Sequence, residues 1–171
     1  MALKFISILN FTNWISPKEL TINIKQTTRV NCTNSGDLKK SADLYDMLLA
    51  KYGSLPIVLN NAANVNFLYG EREKAKKYAQ KAYDYVNDNT AIMDTLAWIE
   101  SRMGNHEKAL GLFRNALTQD YDNAEIKYHL AVTLKALGRE GEAKNYLIEA
   151  IDSNQKFSDK EKAKELLNTW L

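Results

Sequence analysis

The sequence predicts an all-α protein built from repeated pairs of helices. Four glycines, Gly36, Gly70, Gly104 and Gly138, stand 34 residues apart from one another. Alanine recurs seven residues before, five after and twelve after each of the last three glycines, at Ala63, Ala97, Ala131, Ala75, Ala109, Ala143, Ala82, Ala116 and Ala150. A period of about 34 residues is the length of one helical hairpin in a repeat array. The sequence therefore predicts a stack of such hairpins.

The recurring small residues indicate how the helices of this stack pack. Alanine allows two helices to approach closely and has the highest helix propensity, so we expect Ala97 and Ala109 to lie at helix crossings. Each repeated glycine is expected to end a helix in a left-handed turn, which a residue with a Cβ atom adopts only at a cost. Glu100 is expected to lie outside the crossings and to tolerate alanine.

Three full repeats follow from this register, at residues 56–89, 90–123 and 124–157. The middle repeat carries the pattern most completely, since Leu96 and Ala97 stand in its first predicted helix and Phe113 stands in its second. Length and composition favour one domain with a continuous core, because the chain has 171 residues and 45% of them are hydrophobic.

The beginning of the chain does not fit the repeat. Arg29 stands where later repeats have alanine, and neighbouring Asn and Thr residues compete with helical hydrogen bonding. We therefore interpret residues 1–35 as a poorly defined leader. Residues 36–55 predict half a repeat, a single helix capped by Asp37. Its apolar stripe comprises Leu38, Ala42, Tyr45, Leu48 and Leu49.

Residues 158–171 predict a capping helix at the other end of the stack. Ser158 followed three residues later by Glu161 is a capping box. A solenoid needs such a helix to cover its last apolar seam. The apolar face predicted for it comprises Ala163, Leu166, Leu167 and Trp170, and the outer face comprises Lys160, Lys162, Lys164 and Glu165.

The charge of the repeats argues against nucleic acid as a partner. Residues 56–171 carry sixteen basic and seventeen acidic side chains, whereas nucleic-acid binding needs a dense basic face. We therefore expect no nucleic-acid partner.

The apolar run Phe5–Leu9 is far shorter than the ~20 residues of a membrane-spanning helix, and neither a signal-peptide cleavage site nor a lipoprotein motif follows it. We expect no integral membrane segment.

The sequence contains no recognisable catalytic or metal-binding motif. His106 and His129 fall in different predicted repeats and form no pair of metal ligands. Cys32 is the only cysteine, so neither an intrachain disulfide nor a thiolate metal cluster can form. The glycines recur singly and never form a phosphate-binding loop. We therefore expect a protein that is not an enzyme and needs no cofactor and no metal.

The period, the glycines and the alanines resemble the tetratricopeptide repeat (TPR) from about Pro56 to the end of the chain. The resemblance implies a right-handed α-α superhelix, with a capping helix after the third repeat. It also implies a non-catalytic module that binds a peptide or protein partner in a concave groove, which is lined by one face of each first helix.

The resemblance assigns groove residues by their register. Those assigned are Asn60, Asn64 and Phe67 in repeat one, Asp94, Trp98 and Arg102 in repeat two, and Tyr128, Val132 and Lys135 in repeat three. It implies that the two asparagines hold an extended peptide backbone and that Trp98 and Tyr128 supply aromatic contact area. The alternative is that Trp98 packs between helices and the asparagines face solvent.

The same register disfavours the acidic C-terminal tails of heat-shock chaperones as partners. TPR domains that bind these tails clamp two carboxylates with lysines, asparagines and an arginine. Asn64 fits that set, but Asn60 and Glu125 replace lysines and His129 replaces the arginine. A ligand carboxylate near Glu125 would be repelled.

A narrower resemblance concerns residues 37–157, which are similar to the C-terminal repeats of long TPR lipoproteins of bacterial exopolysaccharide and PEP-CTERM protein-sorting systems. It rests on runs such as DTLAWIESRMGNHEKALGLFRNAL in the middle repeat. This resemblance implies an alternative function, in which the stack is a scaffold segment of a bacterial cell-envelope assembly and its groove binds no peptide.

Overall fold

The computed structural model describes residues 35–170, apart from the side chains of the first two. This part of the chain forms eight α-helices and contains no strand. They are α1 Ser35–Tyr52, α2 Pro56–Tyr69, α3 Arg72–Tyr85, α4 Thr90–Arg102, α5 His106–Gln119, α6 Ala124–Ala136, α7 Glu140–Asp152 and α8 Lys160–Trp170. The all-α prediction is confirmed. Of the predicted leader, Ser35 begins α1, and residues 1–34 lie outside the described residues.

The helices pack in chain order as a solenoid of hairpins. The hairpins are α2 with α3, α4 with α5 and α6 with α7, while α1 packs on α2 and α8 packs on α7. The first helices of successive hairpins, α2, α4 and α6, also contact one another in order. This second set of contacts creates one continuous face made only of first helices.

The glycines end the first helices as the sequence predicts, with one exception. Gly70, Gly104 and Gly138 have φ angles of 101°, 90° and 74°, in the left-handed region that glycine adopts without strain. The prediction is wrong for Gly36, which lies inside the first turn of α1, because the helix has already begun at Ser35. Asp37 consequently lies in that first turn and not at the cap.

All nine recurring alanines are fully buried. They lie in clusters that continue from one hairpin to the next, with Phe113, Leu130 and Leu147 among the large partners. A fully buried Cβ at each crossing sets the distance between helices, because any larger group would have to displace the facing backbone. The prediction that these positions are helix crossings is confirmed.

The prediction that Glu100 lies outside the crossings is wrong. Its side chain has no exposed area and lies between α3, α4 and α5. Lys108 Nζ donates to Oε1 at 2.8 Å and Asn105 Nδ2 donates to Oε2 at 2.6 Å, while Lys76 Nζ lies 3.0 Å from Oε2. The positions one repeat away, Asn66 and Leu134, are also fully buried. The 34-residue register therefore places this residue inward.

The partners of Glu100 keep it ionised. Burial opposes the charged form and alone would raise the pKa of Glu100. Hydrogen bonds from Lys108, Lys76 and Asn105 outweigh burial and hold the pKa below its ordinary value. The stabilisation that follows is present above the pKa of the unfolded chain and is lost as the pH falls through the lower pKa of the folded state.

A second polar group attaches α1 to the stack. Asp46 of α1 accepts hydrogen bonds from the Tyr78 hydroxyl at 2.7 Å and from Lys74, both in α3. Burial, with the hydrogen bond to Asp46 and the charge of Asp46, raises the pKa of Tyr78 to about 12. Tyr78 is therefore a neutral donor at physiological pH.

The last helix covers the third repeat. Ala163 of α8 is fully buried, and Leu166, Leu167 and Trp170 pack in the same cluster as Leu147, as predicted. The helix begins at Lys160, one residue later than the capping box indicates. The Ser158 hydroxyl donates to Glu125 Oε1 at 3.3 Å, and Glu161 pairs with Lys164 at 2.8 Å. Lys160, expected on the outer face, donates to the Ser153 carbonyl at 2.7 Å.

We predict that Ala97→Leu lowers the free energy of unfolding by roughly 1–3 kcal/mol, because the larger side chain overpacks the crossing. Ala91→Leu on the exposed side of the same helix is the matched control. Urea titrations followed by circular dichroism measure both. Equal stability of the two variants would contradict the crossing assigned to Ala97.

We predict that Glu100→Ala destabilises the fold by roughly 2–3 kcal/mol at neutral pH, since it removes the charged acceptor of three hydrogen bonds. Glu107→Ala, on the exposed side of α5, is the control and should be close to neutral. Urea titrations at pH 7 and in acid measure both. The difference between wild type and Glu100→Ala should shrink in acid, and a pH-independent difference would contradict the ionised state of Glu100.

Candidate functional site

The concave face of the solenoid consists of α2, α4 and α6. Three side-chain hydrogen bonds join these helices: Asn64 Nδ2 to Thr95 Oγ1 at 3.2 Å, Asp94 Oδ1 with His129 Nδ1 at 2.7 Å, and Ser101 Oγ with Thr133 Oγ1 at 2.8 Å. Because each bond crosses from one repeat to the next, the spacing of the three helices is fixed by polar contacts as well as by apolar packing.

Trp98 occupies the middle of this face. Its side chain is half-buried and stacks on the His129 ring, with centroids 4.2 Å apart and an angle of 21° between the planes. The Arg102 guanidinium lies 5.5 Å from the centroid of the Trp98 ring and is exposed. The sequence alternatives for Trp98 were a ligand contact and interhelical packing. The structure shows packing against His129 together with remaining exposure.

His129 lies beneath Trp98, and the sequence analysis gave it no binding role. The side chain is 7% exposed, and its ring also faces Tyr128 and Phe113, at centroid distances of 5.6 and 6.1 Å. Burial opposes protonation, but the charge and hydrogen bond of Asp94 outweigh it and raise the pKa of His129 above its ordinary value. Asp94 was the sequence signal that could have revealed this pair. It is the fifth residue of α4 and precedes His129 by about one repeat length.

Tyr128 continues the aromatic row towards the end of the stack. It is 7% exposed, and its ring centroid lies 6.4 Å from Trp98 and 5.8 Å from Phe157. Burial and the charge of Asp159 raise the pKa of its hydroxyl. Val132 is half-buried and packs in the same cluster. Tyr128 therefore contributes mainly to the packing beneath the face.

The α2 end of the face has a different character. Asn60 is 8% exposed and its Oδ1 is buried without a hydrogen-bond partner, whereas Asn64 is exposed. Phe67 is half-buried against the core. Ile57 and Leu68 are 56% and 63% exposed. This end therefore offers solvent-accessible apolar area beside the exposed amide of Asn64.

The two cations predicted for the groove, Lys135 and Arg102, differ in whether they are already paired within the protein. Lys135 Nζ pairs with Glu140 Oε1 at 2.6 Å and lies 5.4 Å from the centroid of the Trp170 ring. Arg102 has no ion-pair partner among residues 35–170. Of the predicted groove cations, Arg102 is the one left to meet a ligand anion or carbonyl.

A second concavity lies away from the predicted groove residues. This open pocket, of about 600 Å³, is lined by Asp122, Lys127, Ile148, Glu149, Asp152, Ser153, Asn154 and Gln155. Lys127 is 5% exposed, pairs with Glu149 at 2.7 Å, and lies 4.1 Å from the centroid of the Tyr121 ring. The ammonium group is thus already neutralised within the fold.

Residues 35–170 contain neither a metal-binding cluster nor a membrane-spanning helix. Within residues 35–170, no group of three or more His, Cys, Asp or Glu side chains is arranged to hold a metal ion. None of the eight described helices is both long enough and apolar enough to cross a membrane.

The repeat family can be named from these features. Residues 101–168 match the family model of the tetratricopeptide repeat. The chain folds as a TPR solenoid. The recognition of TPR repeats from the glycine and alanine register is therefore confirmed, whereas the likeness to exopolysaccharide-associated lipoproteins stays a hypothesis.

Solved TPR structures show the same fold at low sequence identity. A thermophilic TPR protein of Thermus thermophilus is 14% identical, with a TM-score of 0.74 over 91% of this chain and 81% of that one. MamA residues 41 to the end, from Desulfovibrio magneticus RS-1, are 12% identical, with a TM-score of 0.69 over 91% and 84%. The first TPR of Spaghetti, bound to the HSP90 peptide SRMEEVD, is 18% identical, with a TM-score of 0.59 over 67% and 89%. A search of the curated proteins found no match.

Proposed function

We propose that this protein is a non-catalytic interaction module that binds a peptide, or an extended segment of a protein, on its concave face. The TPR fold is a scaffold for protein–protein interaction. The observation that carries the proposal is the row of solvent-accessible side chains along one face of α2, α4 and α6, held in place by hydrogen bonds between the repeats. Such preorganisation reduces the entropy lost when a ligand binds.

The α2 end supports contact with apolar side chains and peptide backbone. Ile57 and Leu68 are more than half exposed, so a ligand that covers them removes apolar area from water. Asn64 uses its Nδ2 for Thr95, which orients the amide and leaves Oδ1 as an acceptor for a backbone N–H.

The middle of the face supplies an anchor. Trp98 is half-buried, and its ring is held between His129 and Arg102. A preformed aromatic contact beside an exposed guanidinium is the type of group that dominates binding energy at protein interfaces. Arg102 also provides donors for a ligand carbonyl or carboxylate.

Acidic chaperone tails fit this face poorly. In the clamp described above, His129 stands at the arginine position, and here its Nδ1 is bonded to Asp94. Glu125 stands at a lysine position and is exposed, so it would meet a ligand carboxylate with like charge. We therefore expect a partner other than a tail such as SRMEEVD.

The alternative function is that of a scaffold segment whose concave face binds no peptide. It is favoured by the internal bonding of several predicted groove residues. Asp94 is bonded to His129, Lys135 is paired with Glu140, and Tyr128 is 7% exposed. A place in a bacterial cell-envelope assembly is a further hypothesis that rests on sequence resemblance alone.

We predict that peptides selected by display on the full chain lose affinity by at least about tenfold in Trp98→Ala, and equally in the pair Asn60→Ala with Asn64→Ala. Isothermal titration calorimetry measures the affinities, with Arg114→Ala on α5 as the control expected to bind normally. Circular dichroism must accompany the Trp98 change, because truncating a packed tryptophan costs roughly 3–5 kcal/mol.

The same titrations include the peptide SRMEEVD, for which we expect no measurable binding. If selected peptides bind the groove variants normally and lose affinity with Arg114→Ala, the concave face is not the binding site. If no peptide is selected from diverse libraries, the scaffold alternative is favoured.

A further inference from the structure

The Asp94, His129 and Trp98 side chains form one connected unit across the seam between repeats two and three. Asp94 and Trp98 lie one helical turn apart on α4, and both contact His129 of α6. The imidazole thus holds two side chains of the neighbouring repeat at once. Its position is further fixed by the rings of Phe113 and Tyr128.

The two contacts respond to the proton on His129 in the same direction. The charged imidazolium forms a full ion pair with Asp94, whose oxygen lies 2.7 Å from Nδ1. It also adds a cation–π attraction to the stacked indole at 4.2 Å. The neutral ring keeps a hydrogen bond to Asp94 through Nδ1–H but loses the ion pair and the cation–π attraction. Deprotonation therefore weakens both links between α4 and α6.

The two ring nitrogens of His129 differ in their bonding. Nδ1 is bonded to Asp94, whereas Nε2 has no hydrogen-bond partner among residues 35–170. Nε2 is therefore the nitrogen that takes up the proton when the ring becomes charged.

The charged groups around His129 come from three parts of the fold. Asp94 belongs to α4, Glu125 to α6, and Asp159 precedes α8, and all three carboxylates favour the protonated ring. Lys162 pairs with Asp159 at 2.8 Å, and Arg102 lies beyond the Trp98 ring. The helix α5 presents the uncharged Phe113. The surroundings as a whole thus favour the imidazolium over the neutral ring.

We propose that His129 is a proton-responsive element of the groove, whose protonation locks Trp98 and the seam between α4 and α6 into the arrangement that binds the partner. The inference rests on the proposed function, because it assigns regulation to the same face. Binding is expected to be tighter with the ring protonated and to weaken as the pH rises through the pKa of His129.

The first test uses the free protein. Contact with an imidazolium quenches indole emission, so Trp98 fluorescence should increase as the pH is raised from about 5 to 9, through the range in which histidine titrates. The midpoint should lie above the ordinary histidine value of 6.5. NMR titration of the His129 ring in the unaltered chain should give the same midpoint.

Four variants test whether the pH-dependent change in emission comes from His129 and Trp98. His129→Gln should abolish it, Trp98→Phe should remove the emission change, and Asp94→Asn should lower the midpoint by about 1 pH unit. His106→Gln is the matched control, since His106 is the only other histidine of the sequence and should leave the transition unchanged. The NMR titration and Asp94→Asn decide the question if His129→Gln fails to fold.

The proposal is overturned if His129 titrates at or below 6.5, or if the transition persists in His129→Gln. The second test repeats the calorimetry of a selected peptide across the same pH range, with affinity expected to be about fivefold weaker above the transition in wild type only. If the peptide affinity does not change across this pH range although the Trp98 emission does, the proposed regulation is overturned and the proposed function stays intact. Peptide binding away from the concave face overturns the proposed function itself.

Discussion

Close helix approach at the alanine positions is the constraint on which the rest of the structure depends. Nine alanines with no exposed area stand at equivalent crossings, and each allows two helical backbones to come together without a gap. The distance set there decides whether side chains on neighbouring first helices can reach one another. The 2.7 Å bond between Asp94 and His129 and the 4.2 Å stack of Trp98 exist only because α4 and α6 lie this close.

The fold was predictable from sequence because its information is periodic. One glycine and three alanines in each repeat determine helix ends and crossings, and three of the four spaced glycines have the expected left-handed conformation. Gly36 departs because spacing alone cannot distinguish a glycine that ends a helix from one that lies inside it. Glu100 departs because the prediction used the alanine positions alone and did not compare it with Asn66 and Leu134, which occupy the same register position and are buried.

The candidate site was less predictable, because its contacts depend on pairs of residues from different repeats. The register placed Trp98 and Asn64 on the first helices of their repeats, but it gave neither the Asp94 to His129 bond nor the burial of Tyr128 and Asn60. His129 was considered as a metal ligand and as a replacement within a known clamp, and neither consideration indicated its bond to Asp94. A side chain that bonds across a seam has no signature in its own repeat, so its role emerges only when two helices are placed side by side.

The Glu100 cluster makes the seams of the solenoid unequal. Repeats one and two share a buried carboxylate between Lys76 and Lys108, whereas an exposed pair, Arg114 with Glu142 at 3.7 Å, joins α5 to α7. In a linear array the free energy of partial unfolding depends on the interface that opens. Acidification protonates carboxylates at both interfaces, but Glu100 is the fully buried one, so its loss of charge weakens the seam between repeats one and two more. Protection factors for amide hydrogen exchange should therefore fall first in α1 to α3, while α4 to α8 stay protected. The chain would then behave as two cooperative units, although it is one continuous stack at neutral pH.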